Sequence, residues 1–131
     1  MPVRELRLVV TAPDYEEALA FYRDVLGLPV QAVFESPGGH VTLLDAGRAT
    51  LELMDDANAK FVDEVEVGRR VAGHIRVALE VEDAAGATAA AEAAGARVLA
   101  PPRRTPWNSL NARLAAPGDL QLTLFEELSG G

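Results

Sequence analysis

The stretch Asp14-Tyr15-Glu16-Glu17-Ala18-Leu19-Ala20-Phe21-Tyr22-Arg23-Asp24-Val25-Leu26-Gly27-Leu28 reads as one helix with both of its ends marked. Asp14 is a suitable N-cap, and Glu16 and Glu17 suit the positive end of a helix dipole. Ala18, Leu19, Phe21, Tyr22, Val25 and Leu26 recur at helical spacing, and Gly27 follows the last turn as a C-terminal cap does. Upstream, Leu6 to Ala12 is apolar and rich in β-branched residues, which predicts a strand running directly into the helix. The same plan returns further along. Ile75 to Val81 reads as a strand, Glu82-Asp83 opens an alanine-rich helix over Ala84 to Ala94, and Gly95 ends it. Asp14 and Asp83 are 69 residues apart, as are Arg7 and Arg76, so the chain carries an internal repeat.

Strand candidates follow each helix. In the first half they are Pro29–Glu35, His40–Asp45 and Thr50–Met54, separated by Gly38-Gly39 and Gly47. In the second they are Arg97–Ala100, Leu110–Leu114 and Gln121–Phe125, separated by Pro101-Pro102 and Pro117-Gly118-Asp119. The plan is βαβββ twice, an α+β chain. One domain spans 1–131, with module one at about 4–56, a linker at about 57–72 and module two at about 73–128. Asp55 to Ala72 is acidic, with Phe61, Val62, Val65 and Val67 as its apolar content, and has room for a short helix or strand.

The 131 residues suit one domain, and an apolar fraction of 49% supports a packed core. No apolar run approaches the ~20 residues that cross a bilayer, so no membrane partner is expected. The N-terminal residues lack the layout of a signal peptide, and the chain has no cysteine, which together point to the cytoplasm and exclude thiolate chemistry. A net charge of −8 argues against nucleic acid and modestly favours a cationic ligand, although acidity for solubility is the commoner reason.

The helix string, together with Ala115-Ala116-Pro117-Gly118-Asp119-Leu120-Gln121-Leu122, resembles the vicinal oxygen chelate superfamily. That family includes glyoxalase I, extradiol dioxygenases, fosfomycin-resistance enzymes and bleomycin-binding proteins. The resemblance covers nearly the whole chain. It implies two βαβββ modules forming a curled mixed-sheet cup, often completed in a homodimer. In metal-dependent members the cup holds a divalent ion through two His (or a Gln) on the first strands and two Glu on the last strands of the modules. The matching positions here are Arg7, Arg76, Glu52 and Thr123, and only Glu52 fits. Arginine stays protonated and offers no lone pair, so it is no ligand. His74 lies two residues before Arg76 and would share its face on a strand, yet with Glu52 it makes only two donors. The expectation is therefore no metal and no cofactor.

In place of a metal, Arg7, Arg76 and Glu52 suggest an internal ion-pair cluster, or an arginine aimed at a ligand carboxylate, phenolate or carbonyl. Arg103 to Asn111 carries the single tryptophan. Trp107 offers a flat face, Asn108 and Asn111 offer orienting hydrogen bonds, Phe34 is a candidate opposing wall and Phe61 a candidate lid. The alternative for Trp107 is plain packing. Gly38-Gly39 lacks the lysine or helix of a phosphate loop, and no nucleophile elbow supports a serine triad. The leading expectation is a small-molecule binder, resembling the antibiotic-sequestering, bleomycin-resistance branch, holding an antibiotic-like aromatic or glycopeptide ligand. The alternatives are a metal-dependent lyase, isomerase or dioxygenase, and a metal-free enzyme using Glu52 or His74 as general base beside an oxyanion-holding arginine. A strongly raised Glu52 pKa would support the last, although two neighbouring arginines are expected to lower it.

Overall fold

The computed structural model describes residues 2–25, 27–116 and 120–128, without the side chains of Phe21 and Val25. Module one contains β1 (Glu5–Thr11), α1 (Tyr15–Leu19) with a π-helical continuation (Ala20–Val25), β2 (Val30–Ser36), β3 (Gly39–Asp45) and β4 (Thr50–Met54). The connection forms α2 (Asp56–Glu66). Module two contains β5 (Ile75–Glu80), α3 (Ala84–Ala93), β6 (Arg97–Arg104), β7 (Ser109–Ala116) and β8 (Leu120–Glu127). The caps are those the side chains favour: Asp14 accepts from Glu17 N at 3.0 Å and Asp83 from Gly86 N at 3.1 Å. Gly27, at φ +74°, takes the left-handed conformation expected after a helix. The switch from α to π over Ala20–Val25 departs from the uniform helix expected. Of the helix stripe, Phe21, Val25 and Leu26 fall outside the described side chains, as does the turn Pro117-Gly118-Asp119.

The strands make one mixed sheet in the order β2-β3-β4-β1-β5-β8-β7-β6. The modules join at β1 and β5, which pair antiparallel with Arg7 opposite Ala78 and Val9 opposite Arg76. That register relates the repeats by a local twofold, because Arg7 and Arg76 swap places under it. Both modules contribute to one curled sheet, so its concave face is built by strands of a single chain.

Alternation sorts the side chains by face. Val10, Leu44, Leu51 and Leu53 pack under α1, and Val81, Ala112, Leu114 and Leu124 pack under α3. The opposite, concave face carries Val9, Val41, Leu43, Met54, Ala78 and Phe125, and α2 lies on it through Ala59 and Val62. The linker is thus a wall of the cup. Pro101-Pro102 does not end a strand as expected; β6 runs through it to Arg104. It does so because β6 is the sheet edge, where a missing N–H breaks no ladder, and the register shifts on either side of Ala100 absorb the irregularity.

Candidate functional site

The concave face holds a cavity of about 700 Å³, lined from β1, β2, β3, β4, β5, β7, β8, α2 and the β6–β7 turn. Arg7, Glu52, Arg76 and Thr123 meet there, so the expected positions converge. Phe34, Phe61, Trp107 and Asn111 also line it, whereas Asn108 and His74 do not. His74 precedes β5 in a bend, is exposed and has Nδ1 3.5 Å from Thr11 O, so the strand that would have turned it inward starts one residue too late. Asn108 braces the turn instead: its Nδ2 donates to Leu128 O at 2.8 Å and its Oδ1 accepts from Arg104 at 2.8 Å. Those bonds hold it at φ +63°, a left-handed conformation that asparagine tolerates. The turn presents Trp107, 40% exposed, with its ring centroid 6.3 Å from that of Phe61 on α2.

The arginines and Glu52 do not form the single ion-pair cluster expected. Arg7 serves the acidic wall. Its Nε bonds Glu5 at 2.5 Å, its terminal nitrogens lie 3.8 Å from Glu52 and 4.0 Å from Glu127, and its guanidinium sits 4.8 Å from the Phe125 ring centre. Arg76 is 6% exposed, and its one hydrogen bond among the described residues is Nη1 to Thr123 Oγ1 at 2.7 Å. Among the described residues no carboxylate lies within ion-pair distance of it, and burial lowers its pKa. Its remaining N–H groups are open to the cavity.

Glu52 has a side chain 13% exposed and accepts no hydrogen bond from the described residues. Burial raises its pKa despite the opposing pull of Arg76 and Arg7. This corrects the expectation that two arginines would lower it: at 3.8 Å and beyond, with no hydrogen bond, their attraction does not offset the lost hydration. The stability consequence follows from the sign. A folded-state pKa above the unfolded value contributes stability that is complete below the unfolded pKa and lost as pH rises through the folded one. Glu52→Gln is therefore expected to raise the urea unfolding midpoint at neutral and alkaline pH and to leave it nearly unchanged in acid. A lower midpoint at all pH values would show that the carboxylate stabilises the fold.

A second buried arginine escaped the sequence reading. Arg113 on β7 is 0% exposed and donates to Asp63 Oδ1 at 2.7 Å, Glu66 Oε1 at 2.7 Å and Gln121 Oε1 at 2.8 Å. Asn111 donates to Glu66 Oε2 at 2.7 Å and accepts from Ser109 Oγ at 2.6 Å, so its amide is committed to the protein. Asp63 also accepts from Arg70 and from the backbone of Val71 and Ala72. This network fastens α2 across the cup. The available signal was an arginine interrupting the apolar alternation of Leu110 to Leu114, with two acids one helical turn apart in the linker.

The donor set does not suit a metal. Arg7, Arg76 and Thr123 occupy three of the four positions, and the described residues contain no group of three His, Cys, Asp or Glu that could hold an ion.

No curated protein sequence matches the chain. Among solved structures, a hypothetical protein from Bacillus halodurans superposes with a TM-score of 0.75 at 16% identity, covering 100% of this chain and 99% of that one. A Streptomyces coelicolor methylmalonyl-CoA epimerase variant in complex with 2-nitronate-propionyl-CoA gives 0.67 at 22% identity, covering 98% and 97%. The methylmalonyl-CoA epimerase of Mycobacterium tuberculosis gives 0.62 at 22%, covering 95% and 87%. At these identities the likeness carries the fold alone. The sequence model of the Glyoxalase/Bleomycin resistance protein/Dioxygenase superfamily matches residues 6–126, nearly the full extent of both modules, and the chain belongs to that superfamily.

Proposed function

We propose that the protein binds a compact small molecule without metal, with a carboxylate or carbonyl oxygen of the ligand on Arg76 and a flat group against Trp107 and Phe61. The observation that carries this reading is Arg76 itself: a residue only 6% exposed that lines the cavity and whose guanidinium has one hydrogen bond among the described residues, to Thr123. A buried cation without a carboxylate partner is costly, and a ligand oxyanion would supply what the chain does not. The volume of about 700 Å³ lies within the ~300–1,000 Å³ of single-ligand sites. It favours a compact aromatic ligand over an antibiotic of glycopeptide size, most of which would stand in solvent. The superfamily neighbours that hold a nitronate thioester lend support to an oxygen-bearing ligand in this fold. Arg76, Trp107 and Phe61, on which this reading rests, line one cavity of a single chain.

The test is the fluorescence of the single tryptophan while phenylpyruvate or a bleomycin is titrated into chelator-treated protein. Saturable quenching by phenylpyruvate in the millimolar range or below is the expected result. A response to bleomycin alone would favour antibiotic sequestration instead. Silence toward phenylpyruvate would sink the present reading.

A further inference from the structure

Glu52 and Arg76 stand on either side of one residue. Val9 of β1 pairs with Glu52 on β4 and with Arg76 on β5, and paired residues share a face. The two side chains therefore rise from the cup floor two strand spacings apart, about 10 Å between backbones, with Val9 between them. They do not close on each other. Thr123 on β8 draws Arg76 away from Glu52, and no ion pair joins them. Glu52, which accepts no hydrogen bond from the described residues, and Arg76, whose guanidinium has one hydrogen bond, to Thr123, thus face the same cavity.

Resting on the binding reading above, we propose that Glu52 and Arg76 form a metal-free proton-transfer site for carbonyl compounds with an acidic C–H, such as 2-oxo acids. Glu52 removes the proton from the carbon beside the carbonyl. The C–H bond breaks, its electron pair becomes the carbon–carbon π bond, and the carbonyl oxygen takes the charge as an enolate on the open N–H groups of Arg76. Glu52, now a neutral acid, returns a proton to the enolate oxygen or to carbon, so nothing is oxidised or reduced.

The other carboxylates of the cavity lining are placed differently from Glu52: the Glu35 side chain is 76% exposed and lies 3.8 Å from His40. Glu66 has both oxygens engaged by Arg113 and Asn111, and Glu5 is engaged by Arg7 and Thr50. Glu80 and Glu127 lie four residues beyond Arg76 and Thr123 on their strands, roughly 13 Å along the sheet. One base on one face makes the reaction a same-face proton shift, a tautomerisation or allylic isomerisation. It does not suit an epimerisation that needs an acid opposite the base. Thr123 is the positioning residue. The charged groups around Glu52 are Arg7 and Glu5 of β1, Arg76 of β5 and Glu66 of α2, and burial outweighs them in keeping the carboxyl basic.

The experiment follows deuterium entry at C3 of phenylpyruvate in heavy water, by proton NMR, with chelator-treated protein. Wild type is expected to exceed buffer, with a rate that rises with pH through a midpoint above the ordinary carboxylate range. Glu52→Gln is expected to lose roughly 100-fold or more in exchange while phenylpyruvate still quenches Trp107. Thr123→Val, which frees Arg76 to pair with Glu52, is expected to shift that midpoint downward. Quenching with exchange no faster than buffer, or equal exchange by Glu52→Gln, would overturn the proton transfer and leave the binding reading standing. Loss of quenching in Glu52→Gln would make Glu52 a binding group and overturn the proposal. No quenching of wild type would end both readings.

Discussion

Arg113→Met destabilises the protein by about 3–5 kcal/mol, the cost of leaving buried carboxylates without their cation. Asp63 and Glu66 are 1% exposed, and methionine fills the arginine's volume while offering them nothing. Urea unfolding followed by far-ultraviolet circular dichroism measures the loss. Part of it is pH-dependent. Burial pushes the Asp63 carboxyl up, but the N–H groups of Ala72 and Val71 together with Arg113 outweigh this and hold it below the ordinary range. A depressed folded-state pKa contributes stability that is present above the unfolded value and lost as pH falls through the folded one. Wild type should therefore weaken in acid, and Arg113→Met should weaken less steeply there. A loss below about 1 kcal/mol, the range of exposed pairs, would mean that α2 is held by Ala59 and Val62 packing and not by the network.

Arg76→Met gives the opposite pattern. Phenylpyruvate binding weakens by about 2–3 kcal/mol, roughly 30- to 150-fold, because the charged hydrogen bonds to the ligand oxygen are gone. The unfolding midpoint at low pH, where Glu52 is protonated, holds or rises, since a buried cation without a carboxylate partner has been replaced by an apolar side chain of similar length. Titration of Trp107 fluorescence measures the first effect and urea denaturation the second. A variant that binds as wild type does would remove Arg76 from the site. A variant as unstable as Arg113→Met would make Arg76 structural. Two arginines on concave-facing positions of module two thus have opposite roles, decided by what each one meets.

That contrast marks how far the sequence could be read. The doubled βαβββ plan was legible because it rests on local signals: caps at Asp14 and Asp83, helical spacing in α1, and strand runs such as Thr50–Met54, whose bounds match the structure. Arg7, Glu52, Arg76 and Thr123 were legible as a set because the resemblance to the superfamily maps its metal-ligand positions onto them, and the cavity is lined by all four. The strand through Pro101-Pro102 was not legible, because tolerance for proline depends on lying at the sheet edge. His74 was misplaced because its direction depends on where β5 begins, a matter of one residue.

The sequence by itself determined the modules, their internal repeat and a donor set in which arginines and a threonine stand where a metal would need ligands, since residue chemistry does not change on folding. Only the tertiary structure decided the rest. Arg113 finds Glu66 and Asp63 from 47 and 50 residues away, and Arg76 finds only Thr123, also 47 away. Whether a charge is satisfied depends on which side chains sheet closure brings within 3 Å of it. Glu52 shows the same point: its neighbours by sequence pattern argued for a lowered pKa, and the depth of the cup, which no local signal encodes, raised it.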